Sequence, residues 1–219
     1  MKARAWYSTI AILLPLALVV QIVIAVKASG SPPSHGVGLL AGGSLLTRLV
    51  RVFSFFTIQA NVLSAIVSVQ LARDPDRDGR LWRILRLTTL IGITITGIVY
   101  STVLARIHEP KGWEQVSTNA VFHYIVPIMM VLGWLLFGPR PRITRSVVAW
   151  ALIWPVLWMS YTLAHGAVSK WYPYPFVDVA THGYGRVLLN AVGIGVIFVL
   201  AGVLFAFGDR KLPTTSAPT

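Results

Sequence analysis

Two polar pairs lie inside apolar runs of this chain. Thr57 and Asn61 belong to the run FFTIQANVLSAIVS, and Asn119 and His123 belong to the run NAVFHYIVPIMM. Both pairs are spaced by four residues, so on a helix the two side chains of a pair project from one face. A polar or ionisable side chain inside a membrane span is costly, and its default interpretation is a buried functional site. The candidate chemistry is therefore that of a hydroxyl, two amides and an imidazole.

The composition predicts that both runs cross a membrane. Hydrophobic residues make up 55% of the chain and charged residues 12%, against roughly 25% charged in a soluble domain. Six stretches lack Lys, Arg, Asp and Glu, and each can cross a hydrocarbon core of about 30 Å as a helix. Continuous apolarity favours helices over a barrel. The six predicted spans are residues 6–26, 52–72, 87–105, 120–137, 147–164 and 187–207.

The predicted fold is all-α, a polytopic membrane protein built as a bundle of six transmembrane helices. One domain covers residues 1–211, and a short polar tail, residues 212–219, is predicted to be disordered. The first stretch is longer than the roughly 7–15 residues of a signal-peptide core, so it is predicted to be retained as a span. The chain contains no cysteine, which excludes disulfides, thiolate metal ligands and a cysteine nucleophile.

The basic residues predict the orientation of the chain. With the N-terminus in the cytoplasm, twelve of the 19 Lys and Arg residues fall inside and the other seven outside, as the positive-inside rule requires. We therefore expect a multi-pass protein of the cell membrane with both termini cytoplasmic. The charges meet anionic lipid headgroups. Because no basic patch is interleaved with aromatic residues, the net charge of +12 does not indicate nucleic-acid binding. The oligomeric state is not predicted.

The topology places the two polar pairs at a similar depth. In this orientation the second and fourth spans both run from outside to inside. Thr57 and His123 then lie roughly 5–10 Å below the outer end of the apolar zone, at about 1.5 Å per residue. His123 is the only Asp, Glu, Lys, Arg or His within the six stretches, which favours a functional role. A lone membrane threonine usually bonds the i−4 carbonyl or packs between helices, so Thr57 alone indicates little.

The loop before the sixth span adds a cluster of aromatic residues, with the sequence WYPYPFVD. One interpretation is an interfacial aromatic belt, and the other is a rigid lid over a pocket, stiffened by the alternating prolines. On the second interpretation, His165 at the end of the fifth span faces the same pocket. The candidate pocket or lid residues are His165, Trp171, Tyr174 and Asp178.

Together these motifs resemble a known family. FFTIQAN in the second span, Asn119-x3-His123 followed by Pro127, and Trp158-x6-His165 leading to WYPYPFVD look like the androgen-induced gene / androgen-dependent TFPI-regulating protein family. The resemblance extends from about residue 42 to residue 183 and keeps the order of the motifs. It implies a bacterial relative of six-span membrane threonine hydrolases that cleave fatty acid esters of hydroxy fatty acids. Carried over, Thr57 is the nucleophile and His123 the general base.

The remaining polar residues fit supporting roles in such a reaction. The amides of Asn61 and Asn119 could donate hydrogen bonds to the oxyanion formed on ester attack. Arg48 or Arg51 could hold a substrate carboxylate at the outer surface. Asp178 could orient His123 from the loop. Membrane lipids and a lipid ester are the expected partners, with no cofactor and no metal.

Two other classes of function remain open. A metal-dependent membrane hydrolase could use His123, His165, His182 and Asp178, although their spacings match no ligand motif. A non-enzymatic carrier or scaffold is the second alternative. Against it, the spans show no clear inverted repeat and a single intramembrane ionisable residue.

Overall fold

The computed structural model describes residues 1–28 and 40–214, and within them the chain is helical with no strand. Residues 212–214 follow the last helix, and the rest of the predicted tail, 215–219, lies outside the described residues. Two of the connections between helices contain a single 3₁₀ turn, Leu104–Arg106 and Pro175–Val177. The helices are α1 (Lys2–Lys27), α2 (Leu45–Ser54), α3 (Phe56–Arg73), α4 (Arg80–Thr102), α5 (Gly112–Ala120), α6 (Val126–Phe137), α7 (Arg145–Ala151), α8 (Ile153–Ser169) and α9 (Val179–Lys211).

The prediction of an all-helical fold with several helices able to cross a membrane is confirmed. Five helical segments of the described chain are long and apolar enough to cross a membrane, and a bent pair, α2 with α3, makes up to six. Their bounds are Lys2–Lys27, Arg80–Arg106, Gly112–Phe137, Arg145–Ser169 and Val179–Lys211. The described residues do not form six straight membrane-spanning helices, because the predicted second span is broken.

The break in the second span lies at Phe55. Its extended backbone (φ −67°, ψ 128°) separates α2 from α3, and the two helices are bent by 74°. Side chains satisfy the carbonyls freed by the break, as buried backbone groups require. Trp158 Nε1 donates to the Ser54 carbonyl at 3.0 Å and Gln59 Nε2 to the Phe53 carbonyl at 2.9 Å. The predicted continuous helix over 52–72 is therefore wrong, and α3 begins inside the bundle.

The segment that carries His123 packs closely against α4. A Cβ added at Gly97 would lie 3.0 Å from Pro127 Cβ and 3.3 Å from the His123 carbonyl oxygen, so glycine allows this approach. Between α5 and α6 the chain forms a π-helical turn, Val121–Ile125. Pro127 has no N–H to donate to the His123 carbonyl, which favours such an irregular turn. Turns of this kind are frequent at functional sites.

The two ends of the bundle differ in character. At the end where α1 begins and α9 ends, the backbone N–H groups of Arg142 and Ile143 donate to buried Asp209, and Arg83 pairs with Asp78 at 2.6 Å. Hydrogen bonds from Arg83 hold the pKa of Asp78 well below its usual range. The opposite end contains α2, the connection after α4 and the loop before α9. Thr57 and His123 lie towards this opposite end, which we call the site end.

Candidate functional site

Thr57 differs from the other helical hydroxyls because it is the second residue of α3. Ser64 and Thr89 donate to the i−4 carbonyl of their own helix, at 2.8 Å each. For Thr57 the i−4 residue is Phe53, which lies across the bend and accepts from Gln59. Thr57 Oγ1 instead lies 3.1 Å from the phenol oxygen of Tyr174, and its backbone N–H donates to the same oxygen at 3.1 Å. The bend thus frees the Thr57 hydroxyl from its usual partner.

Tyr174 reaches Thr57 from the loop between α8 and α9. Its ring is buried, stacks on Phe176 at 5.2 Å and meets the edge of Phe55 at 5.5 Å between centroids. Burial raises the pKa of Tyr174 to about 12, so the phenol keeps its proton at neutral pH. Of the predicted lid residues, Tyr174 is the one that contacts a proposed catalytic residue.

His123 is held by Tyr100 and by its own helix. The two rings stack with centroids 3.8 Å apart and planes 20° from parallel. His123 Nδ1 lies 3.2 Å from the Asn119 carbonyl oxygen. Because a carbonyl can only accept, Nδ1 must be the donor of this bond, and the lone pair of the neutral ring then resides on Nε2. The predicted orienting carboxylate is replaced here by a backbone carbonyl.

A cavity of about 510 Å³ brings the two reactive residues to one space, and we call it the polar cavity because nine of its lining side chains are polar. Thr57 and His123 both line it, together with Asn119 and Tyr174. Thr57 is hydrogen-bonded to Tyr174, however, and His123 to Asn119, so the described contacts do not join hydroxyl and imidazole directly. The other polar side chains on this wall are Gln21, Tyr100, His108, Gln115 and Thr118.

A second, apolar cavity of about 930 Å³ lies between α4, α8 and α9. Among the described residues, Thr57, Tyr174 and Leu104 line both cavities. The first two are also hydrogen-bonded to each other. Thr57 therefore stands at the junction of an apolar and a polar space, which suits a group that acts on the ester linkage of a lipid.

The two asparagines have different surroundings. Asn61 is fully buried, and its amide donates to the Thr57 carbonyl at 2.9 Å and to the Phe122 carbonyl at 3.4 Å. Because its donors face these carbonyls and it lines neither cavity, Asn61 joins α3 to the π turn and is not placed to bind an oxyanion. Asn119 lines the polar cavity, so a donor role remains open to its amide.

The two candidate arginines contact backbone carbonyls. Arg48 Nη1 donates to the Ala28 carbonyl at 2.9 Å, and Arg51 Nη1 to the Ala41 carbonyl at 2.7 Å. The Arg51 guanidinium also lies over the ring of Trp171, 5.6 Å from its centroid. Neither arginine lines the polar cavity, although Ala28 and Ala41 do. Their contacts fix the chain at the cavity wall, and a carboxylate-binding role stays a prediction.

The other loop candidates lie outside both cavities. Asp178 accepts from the Ala180 N–H at 2.9 Å and the Thr181 hydroxyl at 2.6 Å, which makes it the N-cap of α9 and not a partner of His123. His165 contacts Ser169, Tyr161 and Trp171. Across the described ranges, no three His, Asp or Glu residues lie close enough to share a metal ion. His123, His165, His182 and Asp178 therefore do not form the alternative metal site.

Two features of the site were not predicted from the sequence. Tyr100 lies in the last turn of α4, and an aromatic side chain at such a position is typical of a membrane interface. In the structure its hydroxyl lies 3.2 Å from His108 Nδ1 and its ring stacks on His123. Burial lowers the pKa of His108, which favours the neutral ring. The bend at Phe55 is the second feature, because the residues around it are mostly apolar and include neither proline nor glycine.

Comparison with known proteins gives no relative for this chain. No protein-family model, no curated protein and no solved structure matches it. The described residues form an all-helical fold with five or six helices able to cross a membrane, and a threonine and a histidine line one of its cavities. Its function is inferred from the arrangement of its own residues.

Proposed function

We propose that this protein hydrolyses lipid esters, with Thr57 as nucleophile and His123 as general base. The observation that carries the proposal is the position of Thr57 at the junction of the two cavities, with His123 on the wall of the polar one. The resemblance of the motifs to the androgen-induced gene family supports the same two roles. The natural ester, and a six-span arrangement with both termini in the cytoplasm, belong to this proposal.

The reaction proceeds in two halves. His123 Nε2 takes the proton of Thr57 Oγ1 as this oxygen attacks the ester carbonyl carbon. The bond between that carbon and the alcohol oxygen breaks, and the alcohol leaves with the proton from His123. Water then attacks the acyl carbon while His123 takes its proton. The bond between that carbon and Thr57 Oγ1 breaks, the fatty acid leaves, and His123 returns the proton to Thr57 Oγ1. A general base acts at roughly 2.6–3.2 Å or through one water, and such contacts often tighten only when substrate binds.

The tetrahedral intermediate needs hydrogen-bond donors. The first N–H groups of a helix have no intrahelical partner, and Thr57 lies in the first turn of α3. The Phe56 and Thr57 N–H groups face the Tyr174 phenol, so the Ile58 N–H and the Asn119 amide, both from residues that line the polar cavity, are the candidate donors at the ester carbonyl. A single oxyanion donor typically contributes about 2.7–4 kcal/mol to the barrier.

The apolar cavity fits the acyl chain of such a substrate. Its wall on α9 runs over residues 188–200, about 18 Å of helix at 1.5 Å per residue. Half of a ~30 Å hydrocarbon core is of similar length, so the wall matches a lipid chain from one leaflet. Exposed Val192 and Val196 on this wall open the cavity sideways to lipid. Because the bilayer is as apolar as the cavity, polarity does not favour one acyl chain over another there. The cavity therefore selects acyl chains by shape.

The proposal predicts covalent labelling by a fluorophosphonate that carries a hexadecyl chain. Purified protein in detergent should be labelled on Thr57, as located by peptide mass spectrometry. A chelator such as EDTA should leave the labelling unchanged, since neither half-reaction uses a metal. Hydrolysis of a lipid ester that is lost with EDTA and restored by zinc, without covalent labelling of the protein, would favour the metal-dependent alternative. Failure to label a folded protein would contradict the hydrolase proposal and favour a carrier or scaffold.

A second prediction concerns the acyl cavity. Gly195 lines it, and a Cβ added there meets no atom within 4 Å, so Gly195→Leu fills the cavity without disturbing the helix packing. This variant should lower the labelling rate with the hexadecyl probe at least about ten-fold relative to a butyl probe. Gly193→Leu is the matched control, because Gly193 is equally free of neighbours and lies outside the lining. Equal chain-length ratios in both variants would place the acyl chain elsewhere.

A further inference from the structure

Tyr174 is the one described side chain hydrogen-bonded to the Thr57 hydroxyl. It belongs to a loop 117 residues away in sequence, and stacking on Phe176 and contact with Phe55 fix its ring. It lines both cavities together with Thr57. Its phenol group therefore lies where the proposed reaction begins.

The hydrogen-bonding capacity of the phenol determines which of the two hydroxyls, that of Tyr174 or that of Thr57, is the donor. The Thr57 N–H donates to the phenol oxygen at 3.1 Å, and the Phe56 N–H also interacts favourably with it. A phenol has one proton and a small number of lone pairs. Since two backbone N–H groups already face its oxygen, the remaining function of the phenol is to donate its proton. The acceptor within reach is Thr57 Oγ1, at 3.1 Å.

We propose that Tyr174 is a positioning residue for Thr57, donating its phenol hydrogen bond to Thr57 Oγ1 before and during nucleophilic attack. This inference rests on the proposed hydrolase function. With one side of Oγ1 occupied by the phenol, the threonine's own proton is directed into the polar cavity, where His123 Nε2 accepts it. As that proton leaves, the phenol hydrogen bond stabilises the negative charge developing on Oγ1. Tyr174 keeps its own proton throughout.

The surroundings of Tyr174 suit this role. Burial raises its pKa to about 12, so the phenol remains a donor across the pH range in which a histidine base works. The aromatic packing of the ring against Phe55, Trp158 and Phe176 also leaves it little freedom to rotate away from Thr57. The bend at Phe55 completes the arrangement, since a continuous helix would satisfy the Thr57 N–H internally.

The test compares Tyr174→Phe with Tyr172→Phe in full-length protein in detergent. Tyr172 is a buried tyrosine of the same loop that lines neither cavity. Tyr174→Phe should lower the maximal rate of labelling by the hexadecyl fluorophosphonate about a hundred-fold. The probe concentration for half-maximal rate should change less than about three-fold, because the acyl cavity is intact. Tyr172→Phe should label like the parent. Equal rates in the parent and a folded Tyr174→Phe protein would overturn the inference.

A second variant covers the case in which Tyr174→Phe fails to fold. Replacing Tyr174 with 3,5-difluorotyrosine keeps the ring and the hydroxyl but makes the phenol more acidic. Its labelling rate should fall at alkaline pH, where the parent's rate does not, because a phenolate cannot donate to Thr57 Oγ1. A flat profile, or a rise at alkaline pH, would contradict the donor role.

The variant Thr57→Ala distinguishes the two proposals. Labelling that survives this change refutes the threonine nucleophile. An inactive Thr57→Ala protein beside a fully active Tyr174→Phe protein refutes only the role of Tyr174.

Discussion

Replacing Thr57 with alanine is expected to abolish covalent labelling by the hexadecyl fluorophosphonate, with a rate at least about a thousand-fold below that of the parent. The hydroxyl is the atom that forms the bond, so no other group in the variant replaces it. The fold should persist, because the Thr57 N–H can still donate to Tyr174 and the side chain loses only two heavy atoms, Oγ1 and Cγ2, at a residue that lines both cavities. Thr57→Ser keeps the hydroxyl and should retain measurable labelling.

Thr162→Ala is the matched control for this substitution. Thr162 is a buried membrane threonine on α8 whose hydroxyl has no described partner, and it lines neither cavity. It should label at the parent rate, which shows that loss of a buried threonine hydroxyl is not harmful in itself. If Thr57→Ala labels at the parent rate, Thr57 is a packing residue and the nucleophile lies elsewhere.

The sequence predicts the helical membrane fold well because the signal is local. Each long apolar stretch identifies a helix from composition and length alone, and five such helices are present. The bend at Phe55 leaves no comparable signal, since the residues around it are mostly apolar and include neither proline nor glycine. It depends on Trp158 and Gln59, which satisfy the freed carbonyls. One of these contacts comes from a helix about a hundred residues away, so no local pattern records it.

The site was predictable in its residue types and less so in its geometry. The i, i+4 spacing of the polar pairs fixes a shared helix face, but rotation about each helix axis depends on packing. Gly97 against Pro127 determines the packing of the His123 segment, and the break at Phe55 determines what surrounds Thr57. The same spacing put Asn61 beside Thr57, yet its amide is used by carbonyls on α3 and the π turn. A pattern can name such a residue but cannot assign its hydrogen bonds.

Replacing His123 with glutamine is expected to lower the labelling rate about 100- to 10,000-fold, the usual contribution of a general base. Glutamine has a similar length and an amide N–H that can still donate to the Asn119 carbonyl, which His123 contacts at 3.2 Å. It has no basic lone pair, so the Thr57 proton has no acceptor. The variant therefore separates loss of the base from loss of packing against Tyr100, which His123→Ala would combine.

The double variant Thr57→Ala/His123→Gln tests whether the two residues act as one unit. If His123 works only by activating Thr57, the double variant should label no more slowly than Thr57→Ala alone, because residues acting together are strongly non-additive. His165→Gln is the control, since His165 lies at the same end of the bundle and lines neither cavity; it should label like the parent. A His123→Gln protein that labels normally would show that the base is another group, and His108 on the same cavity wall would be the next residue to substitute.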